Sequence, residues 1–378
     1  MSVNSRTIMK IPLVDLHAQY ESIKPEIDGA IAAVIKQSAF IGGPFVNDFE
    51  KDFAVAYGVK HVVGCGNGTD SLYILMRMMG IGAGDEVITA ANSWISSSET
   101  ITQTGARPVF VDAHHEYHSM DESKLEAKIT KHTKAVIAVH LQGQMCDIGT
   151  IKKICDKHKL FLIEDCAQSH FSEFKGIRAG LFGHAGSFSF YPGKNLGAYG
   201  DSGCIITNDD ALAEKCRMYS HHGSLKKHQH QMEGINSRLD GMQASILSAK
   251  LPHLTEWTEK RIQNAKLYDE WLANIPEIII PKQRPDTKHT WHLYVIRSGQ
   301  RKNLAEYLAE KGIETAVHYP VALPNMAIYK YLGYQPSDFP VATQLQNEIL
   351  SLPMYPELTE EMIAYVADSI RSFFASLF

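Results

Sequence analysis

Short apolar runs alternate with segments of helical periodicity through the first half of the chain, and this alternation limits the possible folds more than any other feature. Several runs contain only β-branched or other apolar residues, such as Val136-Ile137-Ala138-Val139. Such runs are typical of strands buried on both faces of a parallel sheet. The strand candidates are residues 61–65, 86–90, 108–112, 135–140, 160–165, 186–190 and 203–207. The segments 69–80, 94–104, 121–130 and 148–158 predict helices, so the pattern predicts a doubly wound α/β fold with a mostly parallel sheet of about seven strands.

The pattern changes on either side of this region. Apolar residues at helical spacing predict helices over 22–37 and 45–57. The predicted elements after residue 208 are a helix over 239–251, a long polar helix over 254–274, a strand at 291–296, a helix at 303–311, a short strand at 314–318 and two further helical stretches. We therefore expect a large domain of residues 1–252 and a smaller C-terminal α+β domain of residues 253–378.

Charge and composition exclude several classes of protein. A net charge of −5 gives no basic surface for nucleic acid. No apolar run approaches the roughly 18 residues that a membrane-spanning helix needs, and the first residues lack the apolar region of a signal peptide. The six cysteines lack the close spacing of a zinc or redox motif, and the histidine-rich stretches 114–118 and 221–230 are interpreted as solvated loops. These features predict a cytoplasmic protein without a metal, nucleic-acid or membrane partner.

The first candidate site follows the first predicted strand, in Gly64-Cys65-Gly66-Asn67-Gly68-Thr69. In open α/β sheets, ligands bind beyond the carboxyl ends of the strands. Glycines let the backbone approach an anion, and the N–H groups at a helix start favour phosphate. The glycine spacing matches neither the dinucleotide fingerprint nor the P-loop, so a tight strand-to-helix turn is an equally good interpretation.

Three more strand ends carry residues of interest. Asp165 ends an apolar strand, where a carboxylate needs a cationic partner such as a protonated pyridine nitrogen, unless it only caps a helix. Lys194 follows another strand between apolar flanks, where desolvation would make its amine a nucleophile, unless it is an ordinary solvated lysine. Trp94 could stack on a flat ring or lie in the core. A phosphate loop, an aromatic residue, Asp165 and Lys194 at one sheet edge together indicate a single ligand, pyridoxal 5'-phosphate (PLP).

On these residues the chain resembles the nucleotide-sugar aminotransferases of fold type I, the DegT–StrS group of PLP enzymes. The resemblance covers residues 11–356, nearly the whole chain. The motifs that carry it are Asn67-Gly68-Thr69-Asp70-Ser71-Leu72, Glu164-Asp165-Cys166-Ala167-Gln168, Tyr191-Pro192-Gly193-Lys194-Asn195-Leu196-Gly197-Ala198, Gly200-Asp201-Ser202-Gly203, Gly234-Ile235-Asn236-Ser237-Arg238-Leu239-Asp240 and His318-Tyr319-Pro320.

The resemblance implies a role for each matching residue. Lys194 would hold the cofactor as a Schiff base and shuttle the proton, Asp165 would pair with the pyridine nitrogen, and Gln168 would contact the ring near its hydroxyl. Trp94 would stack on the ring. The residues implied to hold the phosphate are Gly68, Thr69, Ser189 and, from the neighbouring subunit of a homodimer with shared active sites, Asn236. The implied substrate contacts are His222, Arg238, His318 and Tyr319.

The stretch of residues 191–198 resembles the branch of the family that acts on 3-keto sugars. It implies transamination of a dTDP-linked 3-keto-6-deoxyhexose with L-glutamate as donor, which leaves as 2-oxoglutarate. The product would be a 3-amino sugar for surface polysaccharide or glycoside biosynthesis. Val321-Ala322-Leu323-Pro324-Asn325 stands where many relatives have a Pro-x-His stretch near the sugar, so the hexose stays open. The alternatives are a UDP-linked 3-keto or 4-keto sugar as substrate, or a non-catalytic PLP-binding regulator.

Overall fold

A seven-stranded sheet lies at the centre of the computed structural model, which describes residues 9–226 and 228–377. The strands in chain order are β1 (His61–Cys65), β2 (Glu86–Ala90), β3 (Arg107–Val111), β4 (Thr133–Val139), β5 (Phe161–Asp165), β6 (Glu173–Phe174), β7 (Ile177–Arg178), β8 (Ala185–Ser189), β9 (Gly203–Thr207), β10 (Ser224–Lys226), β11 (Gln229–His230), β12 (Thr287–Lys288), β13 (Tyr294–Arg297) and β14 (Ile349–Leu352). The central sheet has the order β1-β9-β8-β5-β4-β2-β3, and β9 runs opposite to the other six strands, which are parallel to one another. The prediction of a mostly parallel seven-stranded sheet is therefore confirmed.

Helices cover the sheet and build the C-terminal part of the chain. In chain order they are α1 (Leu16–Ser22), α2 (Lys24–Gln37), α3 (Pro44–Tyr57), α4 (Gly68–Met78), α5 (Ser96–Gln103), α6 (Ile148–His158), α7 (Asp210–Ser220), α8 (Gly241–Lys250), α9 (Leu254–Leu272), α10 (Arg301–Glu310), α11 (Pro340–Glu348) and α12 (Glu360–Ala375). Within the described ranges, none of them combines the length and the apolar character that crossing a bilayer requires.

Alternate residues of β4 enter two different apolar clusters. Val136 and Ala138 pack in one cluster with residues of α3, α6 and α8. Ile137 and Val139 pack in another with residues of α4, α5 and α7. Because both faces of the strand are covered by helices, its sequence is a continuous apolar run rather than an alternating one.

Side chains at two connections fix where the following helices begin. Asn67 Oδ1 accepts a hydrogen bond from the backbone N–H of Asp70 (2.8 Å), and Asp147 Oδ1 accepts one from Thr150 (3.0 Å). Each cap satisfies an N–H in the first turn that has no partner within the helix. The cap at Asn67 starts α4 directly after β1, so its first N–H groups lie at the carboxyl edge of the sheet.

A third apolar cluster joins α9, α10, α12, β13 and β14. Ile11 belongs to this cluster and lies beside Ile313 in an isolated parallel bridge. The opening segment therefore packs against the C-terminal part of the chain. The division into residues 1–252 and 253–378 stays a proposal, in which that segment crosses from the first unit to the second.

Two predicted elements are wrong. Residues 121–130 do not form an α-helix but two short 3₁₀ turns, Glu122–Lys124 and Glu126–Lys128. Leu125 is the buried anchor of that segment, and a single buried anchor does not supply the apolar stripe that stabilises a longer helix. Residues 314–318 are not a strand, because only Ala316 pairs with β14, opposite Ser351.

Candidate active site

The carboxyl ends of β2, β5 and β8 bring the predicted residues Trp94, Asp165 and Lys194 to one edge of the sheet. Asp165 ends β5 and is only 6% exposed. Its Oδ2 accepts a hydrogen bond from Ser97 Oγ (3.0 Å), and its Oδ1 accepts one from the backbone N–H of Ala167 (3.1 Å). Burial raises the pKa of this carboxyl, and the hydrogen bonds and the charge of Lys194 oppose that rise. A cation placed against Asp165 would stabilise its ionised form.

Lys194 lies in the loop after β8 and is half-buried. Its backbone N–H donates to the carbonyl of Tyr191 (2.8 Å), so the loop turns back at the lysine. Desolvation lowers the pKa of the Lys194 amine to about 8, and the negative charge of Asp165 acts in the opposite direction. With that pKa, roughly a fifth of the amine is neutral near physiological pH, far more than for an ordinary lysine. The neutral amine is the form that attacks a carbonyl.

Gln168 lies at the same edge of the sheet and is held by two hydrogen bonds. Its Oε1 accepts a hydrogen bond from the backbone N–H of Gln142 (2.6 Å), and its Nε2 donates to the hydroxyl of Tyr319 (3.0 Å). The Tyr319 ring lies 5.2 Å from the Trp94 ring, centroid to centroid. Trp94 is 55% exposed and precedes α5, so it is not a core residue, and its ring is free to cover a flat ligand.

The predicted phosphate site lies at the start of α4. Gly68 is the first residue of this helix and packs closely against Ser189. A Cβ added to Gly68 would come within 2.7 Å of the Ser189 Cβ. Only glycine fits at this point without displacing β8. The Thr69 hydroxyl lies beside Ser96 Oγ at 2.7 Å. Free helix N–H groups with two hydroxyls nearby are a donor set that suits a phosphate dianion.

Pyridoxal phosphate fits these residues. Asp165 is a buried carboxylate with no Lys, Arg or His in ion-pair contact among the described residues, which suits a protonated pyridine nitrogen. Lys194 offers an amine with a lowered pKa, and Gly68 and Ser189 form a tight helix start suited to a phosphate. When bound, the cofactor supplies an electron sink for chemistry at the carbon next to an amine.

Three histidines border the site, and only one of them was singled out in the sequence. His318 is half-buried, and burial together with the charge of Lys194 lowers its pKa to about 4. His170 and His292 were not predicted, although both are buried and both have pKa values lowered by burial and by Lys194. His170 lies two residues after Gln168, which is the one signal in the sequence that pointed to it. These side chains are neutral and add no positive charge beside Lys194.

The remaining predicted residues lie on another segment. His222 and Asn236 are exposed and flank the β10–β11 hairpin, and His221 pairs with Asn236 in an isolated bridge. Arg238 is half-buried, and its charge contributes to lowering the pKa of His221, after burial. Within the described residues, no hydrogen bond or aromatic contact links this group to Asp165 or Lys194 of the same chain.

A buried cluster of His140, Glu164 and Cys166 has a spacing that could suit a metal. Glu164 Oε1 accepts hydrogen bonds from the backbone N–H groups of Phe182 and Gly183, both at 2.7 Å. Glu164 Oε2 accepts one from Gly180 (2.8 Å) and lies 2.9 Å from His140 Nε2. Both oxygens are thus occupied, and we interpret the cluster as an internal support for β5 rather than a cation site.

The lowered pKa of Lys194 leads to a prediction about cofactor uptake. Attachment of PLP to the cofactor-free protein should accelerate as pH rises from about 7 to about 9 and level off above that, because the neutral fraction of the amine grows through its pKa of about 8. The growth of the visible absorbance band after rapid mixing measures the rate. A rate that stays flat over this range would contradict the assignment. Lys194→Ala is the control and should develop no band at any pH.

The family comparison covers most of the chain. A model of the DegT/DnrJ/EryC1/StrS aminotransferase family matches residues 21–371. A protein of Geobacillus stearothermophilus named pleiotropic regulatory protein is 45% identical over 97% of this chain and 99% of its own length. The dTDP-3-amino-3,6-dideoxy-alpha-D-galactopyranose transaminase of Aneurinibacillus thermoaerophilus is 41% identical over 96% of this chain and 99% of its own. The UDP-N-acetyl-3-dehydro-alpha-D-glucosamine 3-aminotransferase of Acidithiobacillus ferrooxidans is 39% identical over 96% of this chain and 97% of its own.

Solved structures agree with the observed fold. The crystal structure of S. venezuelae DesV in complex with a ketimine intermediate has a TM-score of 0.94 at 38% identity, covering 96% of this chain and 98% of that one. A Bacillus subtilis protein, NtdA, solved with bound cofactor PMP, has a TM-score of 0.88 at 28% identity, covering 98% of this chain and 86% of that one.

Proposed function

The chain belongs to the DegT/DnrJ/EryC1/StrS aminotransferase family, and from that premise we propose that it transfers an amino group from L-glutamate to C3 of a dTDP-linked 3-keto-6-deoxyhexose. The coarser part of this statement is established by family membership: the protein is a PLP-dependent aminotransferase that acts on nucleotide sugars. The residue roles, the donor, the nucleotide and the hexose are the proposal.

One observation supports the residue roles more than any other: the partly neutral amine of Lys194 lies within the electrostatic influence of the buried Asp165 carboxylate. Lys194 would hold the cofactor in the resting enzyme. Once an amino donor displaces it, the freed Lys194 Nζ would accept the proton from the donor's α-carbon and deliver it to the former aldehyde carbon of the cofactor; in the second half-reaction it would move a proton from that carbon to C3 of the sugar. The protonated pyridine nitrogen would give the buried Asp165 carboxylate the cationic partner that it needs, and this pairing would keep Asp165 ionised.

The neighbouring residues orient and shield the reacting atoms. Gln168 is fixed by its hydrogen bonds to Gln142 and Tyr319, so it can hold the ring hydroxyl in one direction. Trp94 and Tyr319 form an aromatic wall over the same edge and exclude water from the ring face. Gly68, Thr69 and Ser189 hold the phosphate at the start of α4, which anchors the cofactor while its other end reacts.

The sugar assignment rests on residues 191–198, which resemble the 3-keto branch, together with the dTDP-3-amino sugar named in the Aneurinibacillus relative. The Acidithiobacillus relative acts, by its name, on a UDP-linked sugar that also receives nitrogen at position 3. C3 is therefore better supported than the dTDP group. A UDP-linked 3-keto sugar is the first alternative.

We also propose a homodimer in which each copy completes the other's site. Within the described residues, no hydrogen bond joins Asn236, His222 or Arg238 to Lys194 of their own chain. Phe40 and Ile41 are exposed apolar residues beside the start of α8, and Ile41 pairs with Asp240 there. Exposed apolar surface beside a functional segment favours a protein interface, and a second copy placed there would bring this segment to the neighbouring site.

A two-step experiment tests this function. Incubation of the enzyme with L-glutamate should remove the visible band of the bound cofactor. Each member of a panel of dTDP- and UDP-linked 3-keto and 4-keto sugars is then added separately, and the dTDP-linked 3-keto-6-deoxyhexose should restore the band with kcat/KM at least about tenfold above that of any other sugar. NMR of the product should place the new amine at C3. Recovery with only a UDP-linked or 4-keto sugar would overturn the substrate assignment.

The same experiment decides a second candidate function. The relative that is 45% identical carries the name of a regulatory protein, which favours a PLP-binding regulator as the alternative. A regulator of that kind would bind PLP through Lys194 yet keep its visible band when amino donors are added. Loss of the band with glutamate and its return with a keto sugar would exclude it.

A further inference from the structure

Asn195, the residue next to Lys194, uses both ends of its side-chain amide on one distant segment. Its Nδ2 donates to the backbone carbonyl of Thr290 (3.0 Å), and its Oδ1 lies 3.1 Å from Nδ1 of His292. Asn195 is 3% exposed. The backbone that carries Lys194 is therefore tied to residues 290–292 by two buried hydrogen bonds.

The direction of these bonds follows from their partners. The carbonyl of Thr290 can only accept, so it fixes the Asn195 amide with Nδ2 toward Thr290 and Oδ1 toward His292. His292 must then donate through Nδ1–H. Burial, and after it the positive charges of Lys194 and Arg261, lower the pKa of His292 well below its usual range, so the ring is neutral with its proton on Nδ1.

The segment that receives Asn195 is itself held firmly. The Thr290 backbone N–H donates to the carbonyl of Gly143 (2.9 Å). Gly143 has a φ of +98°, and a Cβ added to it would come within 2.7 Å of the backbone nitrogen of His292. The neighbouring Gln142 donates its backbone N–H to Gln168 Oε1 (2.6 Å). A continuous chain of contacts thus runs from Asn195 to Gln168, the residue proposed to orient the ring hydroxyl.

We propose that Asn195 and His292 form a positioning pair that fixes where the Lys194 side chain begins, so that its amine reaches both the cofactor and the reacting carbon. The proposal rests on the role proposed for Lys194. A displacement of about 1 Å in a reacting group can lower the rate about a hundredfold. The position of the Lys194 Cα is set by the loop backbone and not by the lysine side chain. On the far side of the loop, Lys250 Nζ donates to the carbonyl of Gly197 (2.8 Å), so the loop is held from two directions.

The test removes each partner and follows the first half-reaction. Asn195→Ala and His292→Leu should each slow the loss of the visible band after mixing with glutamate by about tenfold to a hundredfold. KM for the keto sugar should change less than about twofold, because neither residue is proposed to touch substrate. His292→Asn places an amide donor where Nδ1 stood and should restore the rate to within about threefold of wild type. The double variant should be no slower than Asn195→Ala alone, since that variant already lacks the contact that His292→Leu removes.

Asn264→Ala is the matched control. Asn264 is also buried, and its Nδ2 donates to the carbonyl of Tyr355 (2.9 Å), in the segment after β14 rather than in the Lys194 loop. It should lose thermal stability as Asn195→Ala does while keeping the wild-type rate. If Asn195→Ala fails to fold, His292→Leu and its rescue by His292→Asn carry the test, because neither variant changes the hydrogen bond from Asn195 to Thr290.

Three outcomes would overturn the proposal. The first is a wild-type rate in folded Asn195→Ala and His292→Leu. The second is a double variant whose slowing equals the product of the two single effects. The third is an equally large slowing in Asn264→Ala. Lys194→Ala is measured alongside. If that variant kept the visible band, the role of Lys194 itself would be wrong. If it lost the band while the Asn195 and His292 variants reacted like wild type, only the positioning pair would be wrong.

Discussion

Lys194→Ala is expected to lower kcat by about 10⁴-fold or more, to below detection, and to remove the visible band of the bound cofactor. Two functions are lost together, because the same amine holds the cofactor and moves the proton. The phosphate contacts proposed for Gly68 and Ser189 do not involve Lys194, so the variant should still bind PLP without a covalent link. Absorbance spectra and a coupled turnover assay measure both effects. Turnover within tenfold of wild type would contradict the role of Lys194, since roughly 10²–10⁴-fold is the usual contribution of a general base alone.

Mixing Lys194→Ala subunits with Asn236→Ala subunits tests whether the two chains of the proposed dimer share each active site. If Asn236 completes the neighbouring subunit's phosphate site, Asn236→Ala should bind PLP more weakly. Lys194→Ala subunits mixed with Asn236→Ala subunits should then form hybrids in which one of the two sites is intact. Activity should return on mixing, to about half that of the wild-type dimer at most. If no mixture regains activity although the hybrids form, Asn236 does not act across the interface.

Asp165→Asn is expected to lower kcat by about 10²- to 10³-fold, while the fold and the binding of PLP persist. Asparagine has the size of aspartate; its Oδ1 can accept from the Ala167 N–H, and its Nδ2 can donate to the Ser97 hydroxyl, which then accepts. It cannot stabilise a protonated pyridine nitrogen, so the ring becomes a weaker electron sink. Steady-state kinetics and the pH dependence of the visible spectrum are the measurements.

The matched control for Asp165→Asn is Asp269→Asn. Asp269 is a half-buried carboxyl whose pKa is also raised by burial, and its Oδ1 accepts a hydrogen bond from Tyr294 OH (2.7 Å) in the C-terminal cluster. It should keep near-normal kcat. Equal losses in the two variants would mean that Asp165 matters only for stability.

Much of this site was predictable because its residues lie at the end of a strand or in the loop directly after one. The apolar runs of β2, β5 and β8 predicted a parallel sheet, and the carboxyl ends of parallel strands meet at one edge. Asp165 and Lys194 therefore had to be neighbours, and the structure places them so. Trp94 could not be settled between ring stacking and the core from sequence alone, because an aromatic residue before a helix suits both. Its exposure of 55% decides against the core.

The rest depends on contacts between segments far apart in the sequence. His292 and Thr290 lie 97 and 95 residues from Asn195, and no local pattern announces that they meet. The helix predicted over 121–130 failed for a related reason. Leu125 is the one buried anchor of that segment and packs in the core, and the chain then turns into β4, so there is no apolar stripe whose burial would stabilise a helix there.

The most direct measurement is the site of covalent attachment. Borohydride reduction of the PLP-loaded enzyme, followed by digestion and mass spectrometry, should find the cofactor on the peptide that contains Lys194. The matched rival is Lys250, which is fully buried and whose pKa burial also lowers to about 8, although it lies against Gly197 and not beside Asp165. An adduct confined to Lys194 is the result predicted here. An adduct on Lys250 or another lysine, with Lys194 unmodified, would contradict the account of this active site.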